Sequence, residues 1–159
     1  YPLEALAARL KAFAQKYGVQ VYLEPGEAAI ANAATLELSV LDVGFNGKHF
    51  AIVDGSIEAH MLDLLTYGLS ARIEPGVGEH RYLVCGVSCL AGDIFGEFAF
   101  ERPLQVGDRI TVQDAAGYTM VKKNWFNGVN MPSIVVARLD GSEECVQSFG
   151  YDDYVGSLS

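Results

Sequence analysis

The sequence predicts a mainly β protein: a C-terminal β-barrel or sandwich domain, preceded by one helix–strand unit from the end of an incomplete α/β (TIM-type) barrel. Helical periodicity is confined to the N-terminal end, and alternating apolar and polar residues with short turns dominate beyond it. We therefore place the domains at 1–28 and 29–159. Half of the 159 residues are hydrophobic, which argues against disorder and suffices for a core.

The N-terminal residues predict an amphipathic helix that ends at Gly18. Its apolar positions recur at spacings of three and four: Leu3, Leu6, Ala7, Leu10, Phe13, Ala14 and Tyr17. A buried strand over 19–23 is expected next, running into the polar segment Glu24-Pro25-Gly26-Glu27. This order is the repeat of an α/β barrel, whose functional residues lie at the carboxyl ends of its strands. One unit cannot bury itself, so we expect it to pack on the remaining chain or to be the tail of a longer protein.

Alternation along 36–40 predicts the first strand of the β domain, and Phe45-Asn46-Gly47 predicts a hairpin with a return strand over 50–53. The segment 60–65 is compatible with a helical turn or a loop. Further strands are predicted over 80–84, 94–100, 109–112, 121–126, 133–139 and 145–149.

Charge and cysteine content restrict the class of partner. A formal charge of −9 argues against nucleic acid and anionic membrane surfaces and favours a cationic small molecule, although acidity for solubility alone is the commoner explanation. The cysteines, Cys85, Cys89 and Cys145, lack the pairing of a zinc site, so we expect no metal, no disulfide framework and a reducing compartment. No signal peptide and no apolar run near 20 residues is present, so a cytoplasmic protein is expected.

The stretch from Cys85 to Asp93 has the composition of a functional site. It sets a thiol and a carboxylate among glycines, just before an apolar strand. Two later segments, 114–120 and 125–128, repeat this mixture of polar groups and glycine. Three such loops in a small β-rich chain predict one shared pocket.

Motifs in these loops and at the first predicted strand end carry a family resemblance. In chain order they are Glu24-Pro25-Gly26-Glu27-Ala28, His60-Met61-x-Asp63, Gly86-x-Ser88-Cys89-Leu90-Ala91-Gly92-Asp93, Asp114-x-x-x-Tyr118-Thr119-Met120 and Phe126-Asn127-Gly128. The chain resembles the alanine-racemase-like, fold type III pyridoxal-phosphate decarboxylases over nearly its whole length. The segment Leu90-Ala91-Gly92 resembles the carboxynorspermidine (carboxyspermidine) branch rather than the ornithine or diaminopimelate branches.

The resemblance implies an enzyme with an N-terminal pyridoxal 5'-phosphate barrel and a C-terminal β domain, working as a homodimer with shared active sites. Its substrate would be a cationic carboxylated polyamine, and its products norspermidine or spermidine. This chain corresponds to the last barrel unit plus the β domain. None of its lysines matches the Schiff-base lysine of the family, so we expect the segment alone to be inactive.

The family's cofactor and proton-transfer roles fall on four residues of this chain. Cys89 would be the catalytic thiol that delivers a proton after carbon dioxide leaves. Glu24 would face the pyridine nitrogen of the cofactor, while Gly26 and Tyr118 would contact its phosphate.

Substrate binding falls on a second group of residues: Glu27, Asp63, His60 and Asp93. Glu27 stands where related decarboxylases commonly place an arginine for the phosphate, so we assign this carboxylate to a substrate amine. His60 would orient Asp63 or contact the ligand, with a structural role equally open. Phe126 and Asn127 would shape the pocket and the interface.

Two other functions remain open. One is a non-catalytic β-barrel fragment used for interaction or dimerisation. The other is a decarboxylase of the same fold that acts on a basic or diamino acid, of the ornithine or diaminopimelate type.

Overall fold

The computed structural model describes residues 2–74 and 76–159. The helices are α1 (Leu3–Tyr17), α2 (Ile57–His60), α3 (Leu62–Tyr67), α4 (Tyr118–Lys122) and α5 (Tyr151–Gly156), with 3₁₀ turns at Gly26–Ala29 and Phe126–Gly128. The strands are β1 (Leu36–Asn46), β2 (Lys48–Val53), β3 (Ile73–Glu74), β4 (His80–Cys85), β5 (Ile94–Phe100), β6 (Arg109–Val112), β7 (Ile134–Ala137) and β8 (Glu143–Gln147).

Six strands form one sheet in the order β3-β6-β1-β2-β4-β5, and β7 and β8 form a separate hairpin. Neighbours in the large sheet are antiparallel except for β2 and β4, which are parallel. The amide of Ala71, just before β3, donates to the carbonyl of Phe95 in β5 at 2.8 Å. This bond links the two ends of the sheet, so the sheet is a nearly closed barrel and the predicted mainly β fold is confirmed.

The core lies inside this barrel because apolar side chains alternate along its strands. In β1, Leu36, Leu38 and Val40 are buried, while the side chains between them point outward. They pack with buried side chains of the other strands, namely Ala51, Val53, Val84, Phe95, Ile110 and Val112. Each large aliphatic side chain buried in this way stabilises the fold by about 1.5–3 kcal/mol.

The predicted β1–β2 hairpin is present, with Gly47 at a φ of 70° between the strands. Glycine adopts this left-handed conformation without steric cost, which explains its place in the turn. The segment at 60–65 contains the end of α2 and most of α3. The predicted helix α1 is also present, and Gly18 ends it with a φ of 63° while the Val19 amide bonds to the Ala14 carbonyl.

Two predicted strands are absent from the structure. The segment 19–23 is neither helix nor strand, and Tyr22 within it is 80% exposed. A strand needs a neighbour for its backbone hydrogen bonds, and no strand among residues 2–74 and 76–159 pairs with this segment. The segment 121–126 begins in α4 instead, because Gly117, at a φ of 59°, turns the chain into a helix that leaves Val121 78% exposed. The β-branched and aromatic residues of 121–126 favour a strand only where their side chains can pack against neighbouring strands of a sheet.

Helix α1 has no buried residue in the described part of the chain, although its apolar stripe is intact. The domain boundary predicted at residue 28 falls within the 3₁₀ turn Gly26–Ala29 and stays a prediction. No helix in the described ranges has the length and apolar character needed to cross a membrane.

We expect Gly96→Ala to destabilise the barrel. Gly96 has a φ of 145°, and a Cβ there would lie 2.6 Å from the Phe98 ring and 3.3 Å from Ser70, beside the bond that closes the sheet. The strain and overlap should lower the free energy of unfolding by about 1–3 kcal/mol, measured by urea denaturation.

The matched control is Gly156→Ala, because a Cβ at Gly156 would meet no atom within 4 Å. Equal unfolding free energies for the two variants would contradict the close packing of β5 against the segment at Ser70.

Candidate functional site

The loop between β4 and β5 carries Cys89, and the buried carboxylate of Asp93 fixes its shape. Asp93 is 4% exposed. Its Oδ1 accepts from the Ile57 amide at 2.7 Å, and its Oδ2 accepts from the Ser88 amide at 3.0 Å and the Ser88 hydroxyl at 2.5 Å. Because one side chain bonds both its own loop and the first residue of α2, movement of the loop would leave the buried Ile57 amide and the partly buried Ser88 donors unpaired.

Gly86 and Val87 complete the attachment of this loop. A Cβ at Gly86 would lie 2.2 Å from Oδ1 of Asp93, so the backbone approaches the carboxylate as only glycine permits. The Val87 amide donates to the Gly55 carbonyl at 2.9 Å. Nearby Cys85 is partly buried, and burial, helped by the charge of Asp93, raises the pKa of its thiol. That thiol is therefore structural in character.

Cys89 itself is exposed, while its backbone is held by Asn127. The Cys89 amide donates to Oδ1 of Asn127 at 2.9 Å. Asn127 has a φ of 57°, a left-handed conformation that asparagine tolerates better than other side chains except glycine. The motif 126–128 thus presents an amide oxygen to the loop, and the thiol is accessible on a fixed backbone.

Helix α2 connects these two loops, because it is bonded to both. Ser56 caps it by accepting from the Ala59 amide at 3.2 Å. The Asn124 amide donates to the Ala59 carbonyl at 2.8 Å, and Oδ1 of Asn124 accepts from the Phe126 amide at 2.8 Å. Asn124 was not among the predicted site residues. Its position directly before the Trp125-Phe126-Asn127 segment was the only sequence signal for it.

His60 is part of this structural framework. It is 3% exposed, and its Nδ1 accepts from the Ser56 amide at 3.3 Å. Burial lowers the pKa of His60, against the opposing influence of the Asn130 backbone and the charges of Asp93 and Asp54. A neutral, buried imidazole bonded to its own helix supports the structural role that the sequence left open.

A second group of motif residues lines a cleft of about 370 Å³. Its lining comprises Glu27, Ala28, Ile30, Ala31, Asn32, Arg72, Asp114 and Ala116. Asp114 organises this cleft: Oδ1 accepts from the Asn32 amide at 3.0 Å, and Oδ2 pairs with Nη1 of Arg72 at 2.5 Å. A Cβ at Gly117 would lie 2.8 Å from Ile30, so this glycine allows the Glu27 turn to approach the loop before Tyr118. Arg72 was missed because it lies in no motif.

Tyr118 of α4 and Asp63 of α3 both contact the ammonium group of Lys122. Nζ of Lys122 pairs with Oδ1 of Asp63 at 2.6 Å and lies 4.4 Å from the Tyr118 ring centroid. Asp63, through its hydrogen bond, raises the pKa of Lys122. Tyr118 is 52% exposed.

The three loops predicted to share one pocket fall into two groups in this structure. Asn127 joins the segment 125–128 to the Cys89 loop, whereas the segment 114–120 borders the cleft with Glu27. Within residues 2–74 and 76–159, no direct hydrogen bond connects the cleft lining to the Cys89 loop. Glu24 and Gly26 lie exposed beside the cleft turn. In the same ranges no group of three or more metal-ligating side chains was found.

Comparisons with known proteins agree on one family. The family model for the C-terminal sheet domain of pyridoxal-dependent decarboxylases matches residues 17–116. The chain is 61% identical over 159 residues to a carboxynorspermidine/carboxyspermidine decarboxylase of Herminiimonas arsenicoxydans, covering all of this chain and 44% of that protein. A carboxyaminopropylagmatine decarboxylase of Synechocystis is 38% identical, with 99% of this chain and 42% of that protein covered.

A solved structure with the same fold is the carboxynorspermidine decarboxylase of Campylobacter jejuni in complex with norspermidine. Its TM-score is 0.85 at 37% identity, covering 99% of this chain and 47% of that chain. The chain thus spans less than half the length of the curated relatives named above.

We expect Asp93→Asn to loosen the Cys89 loop. The substitution replaces an accepting oxygen by an amide donor, so the Ile57 or Ser88 amide loses its partner in a buried site. The free energy of unfolding should fall by about 1–3 kcal/mol in thermal or urea denaturation. Glu101→Gln, at an exposed position, serves as the control for the loss of one charge. If Asp93→Asn lowered the free energy of unfolding no more than Glu101→Gln does, the structural role of Asp93 in holding the loop would be contradicted.

The lowered pKa of His60 predicts a dependence of stability on pH. Above the ordinary value of 6.5, His60 is neutral in the folded and unfolded states and imposes no penalty. Below 6.5 the unfolded chain takes up a proton that the folded site resists, so the free energy of unfolding falls as the pH drops toward the lowered folded pKa. Urea unfolding between pH 5 and 8 should show a shallower slope for His60→Gln than for wild type. His80→Gln, at an exposed position, should keep the wild-type slope; a variant at His60 that also keeps it would overturn this assignment.

Proposed function

This chain belongs to the pyridoxal-dependent decarboxylases as their C-terminal sheet domain, and from this we propose that it is part of an enzyme converting carboxynorspermidine or carboxyspermidine to norspermidine or spermidine. The 61% identity to the Herminiimonas decarboxylase over the whole chain carries the proposal. Because the chain covers 44% of that relative, the Schiff-base lysine and the cofactor barrel belong to the rest of the proposed enzyme.

The residues near the cleft fit pyridoxal phosphate as the cofactor. Tyr118 is half-exposed, and the backbone at Gly26 is open, because a Cβ there would meet no atom within 4 Å. An exposed hydroxyl and an unobstructed backbone turn suit contacts to a phosphate. Glu24 would hold a proton at the pyridine nitrogen. When bound, the cofactor accepts the electrons released as carbon dioxide leaves.

Cys89 is the proposed proton donor to the substrate carbon after decarboxylation. Its thiol is exposed, while Asn127 and the Asp93-braced loop fix its backbone. A thiol held in one place but open to an incoming group is suited to proton delivery. We place this step in the active site of the partner subunit of a homodimer.

The substrate amines are assigned first to Glu27, the exposed carboxylate of the cleft. Asp63 is already paired with Lys122, and a substrate ammonium would take the place of that cation. Asp93 is buried and both of its carboxylate oxygens already accept hydrogen bonds, and Nδ1 of His60 accepts from the Ser56 amide. The two buried residues therefore act by positioning their loops rather than by contact with the polyamine.

Two observations favour other functions. The similarity to the Synechocystis carboxyaminopropylagmatine decarboxylase favours a related carboxylated substrate with a different cationic end. Exposed apolar side chains of α1, Leu3, Phe13 and Tyr17, favour a surface for protein association. A protein that forms a dimer but decarboxylates no polyamine would be the interaction fragment considered from the sequence.

The cytoplasmic location expected from the sequence stays a prediction.

The test is decarboxylation by the full-length protein loaded with pyridoxal phosphate, followed as carbon dioxide release. We expect turnover of carboxynorspermidine or carboxyspermidine, and a loss of about 100-fold in kcat for Cys89→Ala because the positioned acid is removed.

Cys145→Ala is the control, since Cys145 is an exposed thiol on the β7–β8 hairpin. Turnover of carboxyaminopropylagmatine alone would reassign the substrate. Absence of turnover with every carboxylated polyamine would overturn the decarboxylase proposal, and full activity of Cys89→Ala would remove the role given to its thiol.

A further inference from the structure

Aromatic side chains at the C-terminal end form a cluster that the function described above does not use. The Trp125 ring lies 5.7 Å from Tyr154 of α5 and 6.2 Å from Phe149, centroid to centroid. Nζ of Lys123 lies 4.6 Å from the Phe149 ring. We call Trp125, Phe149 and Tyr154 the aromatic clamp. Tilted and edge-on ring pairs at these distances are attractive beyond their burial of area.

The aromatic clamp lies directly on the turn 126–128. A Cβ at Gly128 would be 3.7 Å from Cζ and Oη of Tyr154, so the Tyr154 ring covers the end of this turn. Asn127 and Gly128 have φ values of 57° and 68°, two left-handed residues in succession. Asparagine followed by glycine adopts such a pair readily, so what the surroundings constrain is the position of the turn relative to the Cys89 loop. One constraint on the turn is the Tyr154 ring, which covers Gly128. A second is the Asn124 side chain, which accepts from the Phe126 amide.

Helix α5 depends on the same contacts. It has six residues, none of them buried, and the Gly150 amide bonds to Oδ2 of Asp153 at its start. A helix of this length is not stable by itself in water. Within the described part of the chain, its ring contacts run through Tyr154 to Trp125 and to Tyr151 of the same helix. Helix α5 and the turn 126–128 therefore stabilise each other through Tyr154.

The turn in its ordered form holds Cys89. Oδ1 of Asn127 accepts from the Cys89 amide at 2.9 Å, and Asn127 sits between Phe126 and the Gly128 that Tyr154 covers. Resting on the proposed function, we propose that α5 is a positioning element for the Cys89 loop and that Tyr154 is its positioning residue, acting through Asn127. Tyr154 touches neither substrate nor cofactor in this role.

The test compares Tyr154→Ala with Tyr154→Phe in the full-length protein loaded with pyridoxal phosphate. The first removes the ring and the second keeps it. For Tyr154→Ala we expect faster hydrogen–deuterium exchange in peptides covering 86–93 and 125–129, with the barrel strands unchanged. The rate of iodoacetamide labelling at Cys89, relative to Cys145 in the same sample and read by peptide mass spectrometry, should change severalfold. With carboxynorspermidine, kcat should fall about tenfold with little change in KM, because the proton donor rather than the binding cleft is displaced.

Tyr154→Phe should keep the wild-type values. Tyr151→Ala serves as the control because, among the described residues, the Tyr151 ring contacts the Tyr154 ring but neither Trp125 nor Phe149. If Tyr154→Ala fails to fold, Tyr154→Leu, which keeps most of the side-chain volume, takes its place. Faster exchange at 125–129 with unchanged exchange and labelling at Cys89 would overturn the proposal, as would Tyr154→Phe behaving like Tyr154→Ala. Altered labelling at Cys89 with unchanged kcat would support the positioning role while overturning the catalytic role of Cys89, so the two proposals fail separately.

Discussion

The carboxylate of Asp93 is the interaction on which the candidate site depends. It lies where β5 begins, and its oxygens bond to the Ser88 backbone and hydroxyl and to the first amide of α2. A buried acid with two accepting oxygens can serve several donors that no apolar residue could satisfy. Asp93 therefore connects three parts of the structure: the barrel wall at β5, the Cys89 loop and the short helix α2. The cost of burying a charge is offset by these bonds, which is the condition under which proteins retain such groups.

A series of hydrogen bonds leads from α2 back to the Cys89 loop. The Ala59 carbonyl receives the Asn124 amide, the side chain of Asn124 shapes the next turn, and Asn127 in that turn returns to Cys89. The cleft around Asp114 is built separately, through Arg72 and the Asn32 amide. One chain thus carries two groups of candidate site residues, each held by its own hydrogen bonds and ion pairs.

Sequence reasoning predicted the barrel strands well because alternation reports directly which face of a strand is buried, as in Leu36, Leu38 and Val40. It failed over 121–126, where the segment leaves α4 after Lys122, with Val121 exposed, and enters the 3₁₀ turn at Phe126 instead of forming a strand. Among the site residues, the motifs located Cys89 and the loops around it. The roles of Asp93 and His60 could not be read from the sequence, since only burial distinguishes a bracing acid from one that meets a substrate. Asn124 and Arg72 were missed because neither lies in a motif, and the bonds that reveal them, to Ala59 and to Asp114, join distant segments.

The hydrogen bond from Ala71 to Phe95 gives the barrel a seam. Neighbouring strands elsewhere in the sheet are joined by ladders of hydrogen bonds, whereas among the described residues the Ala71 amide alone joins its two ends, and regions with few hydrogen bonds are the ones that open locally. Arg72 follows Ala71 directly, and its guanidinium holds Asp114 at the mouth of the cleft. A local opening at this bond would therefore also displace Arg72, one of the two groups that hold the Asp114 carboxylate at the cleft, and leave the Asn32 amide as the other.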